Sequence, residues 1–305
     1  MPHSLSEPML HSLDHVIIAV SELEQAAARM AALLGLRPSW RGEHPGAGSA
    51  NVLFRLENTY LELLAPQGDG PVAEQLRGRL DQEGEGLVGL AFGTADADAC
   101  YRAWTQRGLD PAPPADGVGR DVDSGAFREW RQVVLPPAKS GGILLFAIEH
   151  KSPADVLPTA APAGDSRAVV VALDHVVVQT TDPDAARALY GDALGIRLAL
   201  DRSFEDWGVR LLFFRLGGTT VEVAAQLAQQ PALPSPEAPD RLWGLSHRVT
   251  DADAARARVA EAGFDVSEVR TGRKPGTRVF SVRHEPCGVA TLMLEPKPQE
   301  GRQGD

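Results

Sequence analysis

The apolar run LDHVIIAV at 13–20 gives way to SELEQAAARMAALLG at 21–35, and the same order returns 160 residues later as LDHVVVQT and then TDPDAARALYGDALG. In each copy a β-type run meets a segment with helical spacing of apolar residues, which a glycine closes. Ser21 and Glu24 have capping-box spacing, and Gly35 ends that helix. Thr181 or Asp182 caps the second helix, with Pro183 in its first turn and Gly195 at its end. Two fainter copies are GLVGLAFGTADADACYRAWTQRG at 86–108 and LWGLSHRVTDADAARARVAEAG at 242–263. Strand-like runs follow every helix: NVLFRL and TYLELLAP, REWRQVVL and GILLFAIE, VRLLFFRL and TTVEVAAQ, TRVFSV and VATLMLE.

The pattern therefore predicts an α+β chain of four βαβββ modules. A unit this small cannot bury its apolar face alone, so four modules give two domains. The first spans 12–150 (modules 12–67 and 86–150) and the second 170–297 (modules 170–226 and 241–297). The Pro- and Ala-rich segment 151–169 reads as a linker, QLAQQPALPSPEAPD at 226–240 as a second connection, and PKPQEGRQGD at the end as a frayed tail.

Composition changes the picture mainly by exclusion. With 305 residues, 43% apolar and 23% charged, the chain has the makeup of a globular protein with two cores. A formal charge of −11 and no Lys/Arg cluster argue against a nucleic-acid partner. The opening MPHSLSEPMLHSLD lacks a basic n-region and a long apolar run, and no segment offers eighteen uninterrupted apolar residues. The expectation is a soluble, cytoplasmic protein, monomer or homodimer, that meets a small molecule and no membrane. Cys100 and Cys287 show no metal spacing and read as buried or free thiols. Dinucleotide, Walker, zincin and nucleophile-elbow motifs are absent from the sequence.

LDHV in the first strands of modules one and three, with YLELLAP (60–66) and TVEV (220–223) in their last strands, resembles the vicinal oxygen chelate superfamily. That superfamily includes glyoxalase I, extradiol dioxygenases and the bleomycin and fosfomycin resistance proteins. The resemblance covers nearly all of 12–297 as two glyoxalase-like domains. It implies paired modules folded into a cupped sheet around a divalent metal, each module giving one ligand from its first strand and one from its last. Such a metal binds vicinal substrate oxygens and stabilises an enolate or activates oxygen. Carried over, the ligand and catalytic positions are His15, Glu62, His175 and Glu222, with Glu 47 positions after His in both copies. Imidazole with carboxylate suits zinc, iron, nickel or manganese.

Modules two and four depart from that pattern. Gly89 and Gly244 stand where the histidine would be, and Phe146 and Leu292 where the carboxylate would be. Several readings stay open. Each cup would hold a His/Glu half-site facing an apolar half, with the glycines leaving room for a substrate and any metal completed by water, substrate or another side chain. Alternatively, modules one and three would pair and bring all four ligands together. The expected activity is that of a lyase, isomerase or dioxygenase; the alternative is a metal-free binding or resistance-type sequestering protein.

Other residues are candidates for the pocket wall. His44 and Asn51, around the loop RGEHPGAGSAN, would reach a ligand. Arg248 and the loop GRKPGTR at 272–278 would give the C-terminal cup positive charge, and Cys287 would line it. His247, on simple alternation, points to the helix side as a packed histidine.

Overall fold

The computed structural model describes residues 8–227, 238–284 and 286–297. Strands β1 (Ser12–Ala19), β2 (Trp40–His44), β3 (Ser49–Arg55) and β4 (Tyr60–Pro66) come from module one, and β5 (Gly86–Gly93), β6 (Ala115–Asp121), β7 (Phe127–Val134) and β8 (Leu144–His150) from module two. They close into a barrel in the order β1-β4-β3-β2-β6-β7-β8-β5. The closing seam is short, with Gly42 opposite Asp121 and Glu43 opposite Arg120.

The second half repeats the arrangement and leaves it open. Strands β9 (Val170–Thr180), β10 (Arg197–Phe204), β11 (Val209–Leu216), β12 (Thr219–Gln226), β13 (Arg241–Val249), β14 (Arg270–Thr271), β15 (Arg278–Val282) and β16 (Ala290–Glu295) lie in the order β10-β11-β12-β9-β13-β16-β15-β14. A two-residue β14 offers almost no ladder to a partner, so this sheet keeps two free edges.

Register decides how the modules combine. The first strands of consecutive modules pair antiparallel, β1 with β5 and β9 with β13, and each module's last strand lies parallel to its first. The pairing of modules one and three is therefore corrected: they belong to separate sheets, and their four His/Glu positions form no common set. The same register supports the sequence equivalences. Tyr60 lies opposite His15 as Leu144 lies opposite Gly89, and Thr220 opposite His175 as Ala290 opposite Gly244.

Local chemistry sets the helix ends. Asp96, Asp182 and Asp251 each accept a backbone N–H at the start of α3 (Ala97–Gln106), α4 (Pro183–Arg187) and α5 (Ala252–Glu261). Gly35 ends α1 (Leu23–Leu34) in the left-handed region at φ +73°. The capping box expected at Ser21 and Glu24 does not form. Glu22 is the N-cap without a side-chain bond, and Glu24 pairs with Arg41. One helix went unread in the sequence, α2 (Pro71–Glu83), which buries only Ala73 and Leu76 and so carries little apolar periodicity.

The halves share one continuous core, including Val16, Trp104, Leu173, Phe214 and Phe280. Asn58, on the β3–β4 turn, donates to the Leu173 carbonyl at 2.8 Å and accepts from the Leu173 N–H at 3.0 Å. Arg258 of α5 reaches the carbonyls of Ala32 and Leu33 at the end of α1. The segment 151–169, read as a linker, is largely exposed but held to the first domain at several points. Leu157 and Ala160 are buried, Arg55 donates to the Ala154 and Leu157 carbonyls, and Arg37 N–H donates to Ala161. Most of the connection 226–240 and of the tail lies outside the described residues.

Candidate active site

The closed barrel encloses a cavity of about 350 Å³, and His15, Glu62, His44, Asn51 and Phe146 all face it. Alternation along the strands puts them there. Asn51 on β3 lies one strand from Glu62 on β4, and β1 carries His15 on the other side of β4.

These side chains form one polar chain through the barrel. Asn51 Nδ2 donates to Glu62 Oε1 at 2.7 Å and lies 3.3 Å from His44 Nε2, while His44 Nδ1 lies 2.8 Å from Ser49 Oγ. An amide nitrogen has two hydrogens, and this pair of contacts uses both. Burial depresses the His44 pKa, which keeps its ring neutral and Nε2 free to accept. Glu62 Oε2 then faces His15 Nε2 at 3.4 Å.

On its far side His15 meets Asp14, with Nδ1 to Oδ1 at 2.8 Å, and His150 Nε2 lies 3.0 Å from Asp14 Oδ2. Burial alone would raise the Asp14 pKa. The hydrogen bonds and charges of His15 and His150 outweigh it and hold the carboxyl well below the usual range. An ionised carboxylate only accepts, so Nδ1–H of His15 donates to Asp14 and Nε2 is the nitrogen turned to the cavity. The ring is stacked on Tyr60 (centroids 4.5 Å) and edge-on to Phe146 (5.5 Å). Burial, the largest influence, raises the Tyr60 pKa, so its phenol stays protonated.

The C-terminal cup repeats the arrangement more loosely. Asp174 Oδ2 lies 3.0 Å from His175 Nδ1, and His175 Nε2 lies 3.7 Å from Glu222 Oε2. Side-chain exposure is 19% and 20% here, against 4% and 10% for His15 and Glu62, because no closing seam covers the sheet. Burial raises the Glu222 pKa, an effect that His175 and Arg273 oppose. Arg273, from the 272–278 loop, stacks on Trp207 at 4.1 Å.

Several expected pocket residues sit elsewhere. Arg248 bonds Asp174 at 3.0 Å and the Gly218 carbonyl, so its charge is spent on the His175 support. Neither even-module glycine opens space. A Cβ on Gly89 would lie 3.0 Å from the Leu144 carbonyl, and one on Gly244 would lie 2.6 Å from that of Ala290. Leu292, by contrast, stays on the cup's face: it lies opposite Ser246, which lies opposite His175. Cys287 is buried in the main core, and His247 is 1% exposed in the packed interior. Gly42 and Gly117 are filled in the same way: a Cβ at either would strike the Trp40 or Trp130 ring, which packs against the bare backbone.

Two donors fall short of the three or four protein ligands that a catalytic divalent ion uses. Among the described residues no cluster of three or more His, Cys, Asp or Glu is disposed for a metal. The donor set does not fit a resident zinc, iron, nickel or manganese ion. Sequence reading passed over Asp14 and Asp174, although the LDH repeat displays the aspartates as plainly as the histidines. It also passed over Tyr60, Arg128 and Trp130.

Comparison with known proteins places this geometry in a family. The glyoxalase-like domain matches residues 13–170, and the glyoxalase/bleomycin resistance protein/dioxygenase superfamily matches 174–280. An ethylmalonyl-CoA/methylmalonyl-CoA epimerase of Cereibacter sphaeroides is 41% identical over 66 residues, 21% of this chain and 49% of its own. The human mitochondrial methylmalonyl-CoA epimerase is 45% identical over 65 residues, 21% of this chain and 37% of its own. The matches thus span less than half of either relative. A mutant of 4-hydroxymandelate synthase from Streptomyces coelicolor superposes with a TM-score of 0.65 at 16% identity, covering 97% of this chain and 94% of that one. A hypothetical protein from Staphylococcus aureus gives 0.62 at 11% identity, covering 93% and 98%. These likenesses show the tandem fold. No described helix is long and apolar enough to cross a membrane.

Proposed function

We propose, because the chain belongs to the glyoxalase-like domain family, that its N-terminal barrel is a small-molecule enzyme of isomerase or lyase type. In this reading the barrel moves a proton at a carbon next to a carbonyl. The observation that carries it is the 3.4 Å approach of His15 Nε2 to Glu62 Oε2 inside a mostly apolar cavity. Nε2 takes the proton, the C–H electron pair moves onto the carbonyl oxygen, and Asp14 holds the imidazolium that results. The imidazolium Nε2–H passes that proton to Glu62 Oε2, 3.4 Å away, and Glu62, positioned by Asn51, returns it to the substrate carbon as the carbonyl reforms, leaving His15 and Glu62 as they began. No step depends on a cation.

The C–H of a substrate held this way exchanges with solvent. Proton NMR in D2O, over a panel of 2-oxo acids and 2-substituted thioesters, should show loss of the acidic C–H signal with the wild type, before and after treatment with a chelator. His15→Gln should abolish it. Exchange that vanishes with the chelator and returns with added metal would replace this reading with Lewis-acid chemistry. A wild type that binds panel members and exchanges none would leave the sequestering reading.

A further inference from the structure

Arg128, on β7, is 9% exposed and lines the barrel cavity as well as a neighbouring cavity beside Arg55 and His150, yet none of the ion pairs among the described residues includes it. Among the described residues its side chain makes one hydrogen bond, a long one of 3.4 Å to Tyr60 Oη. The guanidinium instead lies over two rings, Trp40 at 5.6 Å and Tyr60 at 5.2 Å. Aromatic faces offset part of the cost of burying a cation, and most of its five N–H donors have no protein acceptor among the described residues and are open to the adjoining cavity space. Arginine cannot shed its proton, so a buried guanidinium without a carboxylate is expensive for the fold. The nearby acids are committed. Glu62 serves Asn51 and His15, Asp14 serves His15 and His150, and Asp116 lies 3.5 Å from Arg131.

Such an unpaired cation is matched by a ligand that brings the missing charge. We infer that the barrel takes an organic monoanion, a carboxylate on an aromatic or apolar body, and that Arg128 receives the carboxylate. The inference rests on the N-terminal cavity being the working site and adds its substrate class. Trp130, Ile17 and Leu53 supply apolar wall for the body, and Tyr60, which Arg128 overlies, is the ring stacked on His15. Arg128 and His15 therefore both contact the Tyr60 ring, so the guanidinium and the proposed base share one neighbourhood of the barrel. One guanidinium opposite the Glu62 carboxylate suits a single negative charge better than a phosphate dianion.

The test compares phenylacetate, phenylacetamide and phenyl phosphate, three probes that share a ring and differ in head group. Binding is followed by calorimetry and by the indole N–H signals of Trp40 and Trp130. Phenylacetate should bind the wild type roughly ten- to a hundredfold more tightly than the amide, the range for a hydrogen bond to a charged group. Phenyl phosphate should bind more weakly than phenylacetate. Arg128→Met, which keeps the apolar stem between the rings, should erase the preference for the acid, and Arg128→Lys should reduce it. Equal affinity for acid and amide, a preference that survives in Arg128→Met, unchanged acid affinity in Arg128→Lys, or tighter binding of the phosphate would each overturn the inference. If Arg128→Met fails to fold, the Lys variant and the head-group comparison decide. Failed solvent exchange with intact acid preference counts against proton transfer alone. Exchange with no acid preference counts against Arg128 alone.

Discussion

His247→Leu tests whether the histidine of β13 is a packed residue or a displaced ligand. It is 1% exposed, Nδ1 has no hydrogen-bond partner among the described residues, and burial together with the charge of His175 pushes its pKa from 6.5 down to about 4. The unfolded chain therefore binds more protons here than the folded chain between pH 4 and 6.5. Folding stability from this group is present above pH 6.5 and is lost as pH falls toward 4. At about 1.4 kcal/mol per unit, the shift corresponds to roughly 2 kcal/mol lost between pH 7 and pH 5, and about 3 kcal/mol in full. Leucine has nearly the same volume and no ring nitrogen, so the variant should lie within about 1 kcal/mol of wild type at pH 7. Urea unfolding of both proteins at pH 7 and pH 5 isolates the effect, since every other titrating group is common to both. Wild type should lose about 2 kcal/mol more than the variant. Equal losses would refute the argument and mean that the ring meets water or a partner charge.

Asp14→Asn should cost about 1–3 kcal/mol at neutral pH, because two imidazoles lose their ionised acceptor. The folded Asp14 pKa lies below its unfolded value of about 4, so this stabilisation holds above pH 4. Unfolding curves at pH 7 and pH 3 should show the gap between wild type and variant narrowing in acid; a constant gap would deny the role of the charge. Gly244→Leu should destabilise by roughly 1–3 kcal/mol in a thermal melt, since its Cβ would meet the Ala290 carbonyl at 2.6 Å. A variant as stable as wild type would restore the idea that this glycine opens a pocket.

Much of the fold was legible because the repeat LDH-(V/I) with its trailing helix is local, and strand alternation places His15 with Glu62 once the modules are paired. Closure of one sheet and not the other was not legible. It depends on β2 and β6, whose sequences WRGEH and ADGVGRD carry little apolar signal, and on the shortness of β14. FREWRQVV puts Arg128, Trp130, Gln132 and Val134 on one face, but only closure turns that face inward. Gly89 and Gly244 misled for a related reason: an absent side chain reads as space in a sequence, whereas here Leu144 and the Ala290 backbone occupy it. Arg248 misled because its partner, Asp174, is an acid that alternation alone would place on the opposite face from His175.

The central claim is that catalysis resides in the closed barrel and not in the open cup that repeats its His/Glu pair. Glu62→Gln and Glu222→Gln make the same isosteric change at equivalent positions of the two sheets. Their rates of solvent deuterium exchange, measured side by side on one carbonyl substrate, separate the cups. Exchange should fall at least about a hundredfold in Glu62→Gln, the low end for a lost acid–base group, and stay near wild type in Glu222→Gln. Exchange retained in Glu62→Gln and abolished in Glu222→Gln would contradict it.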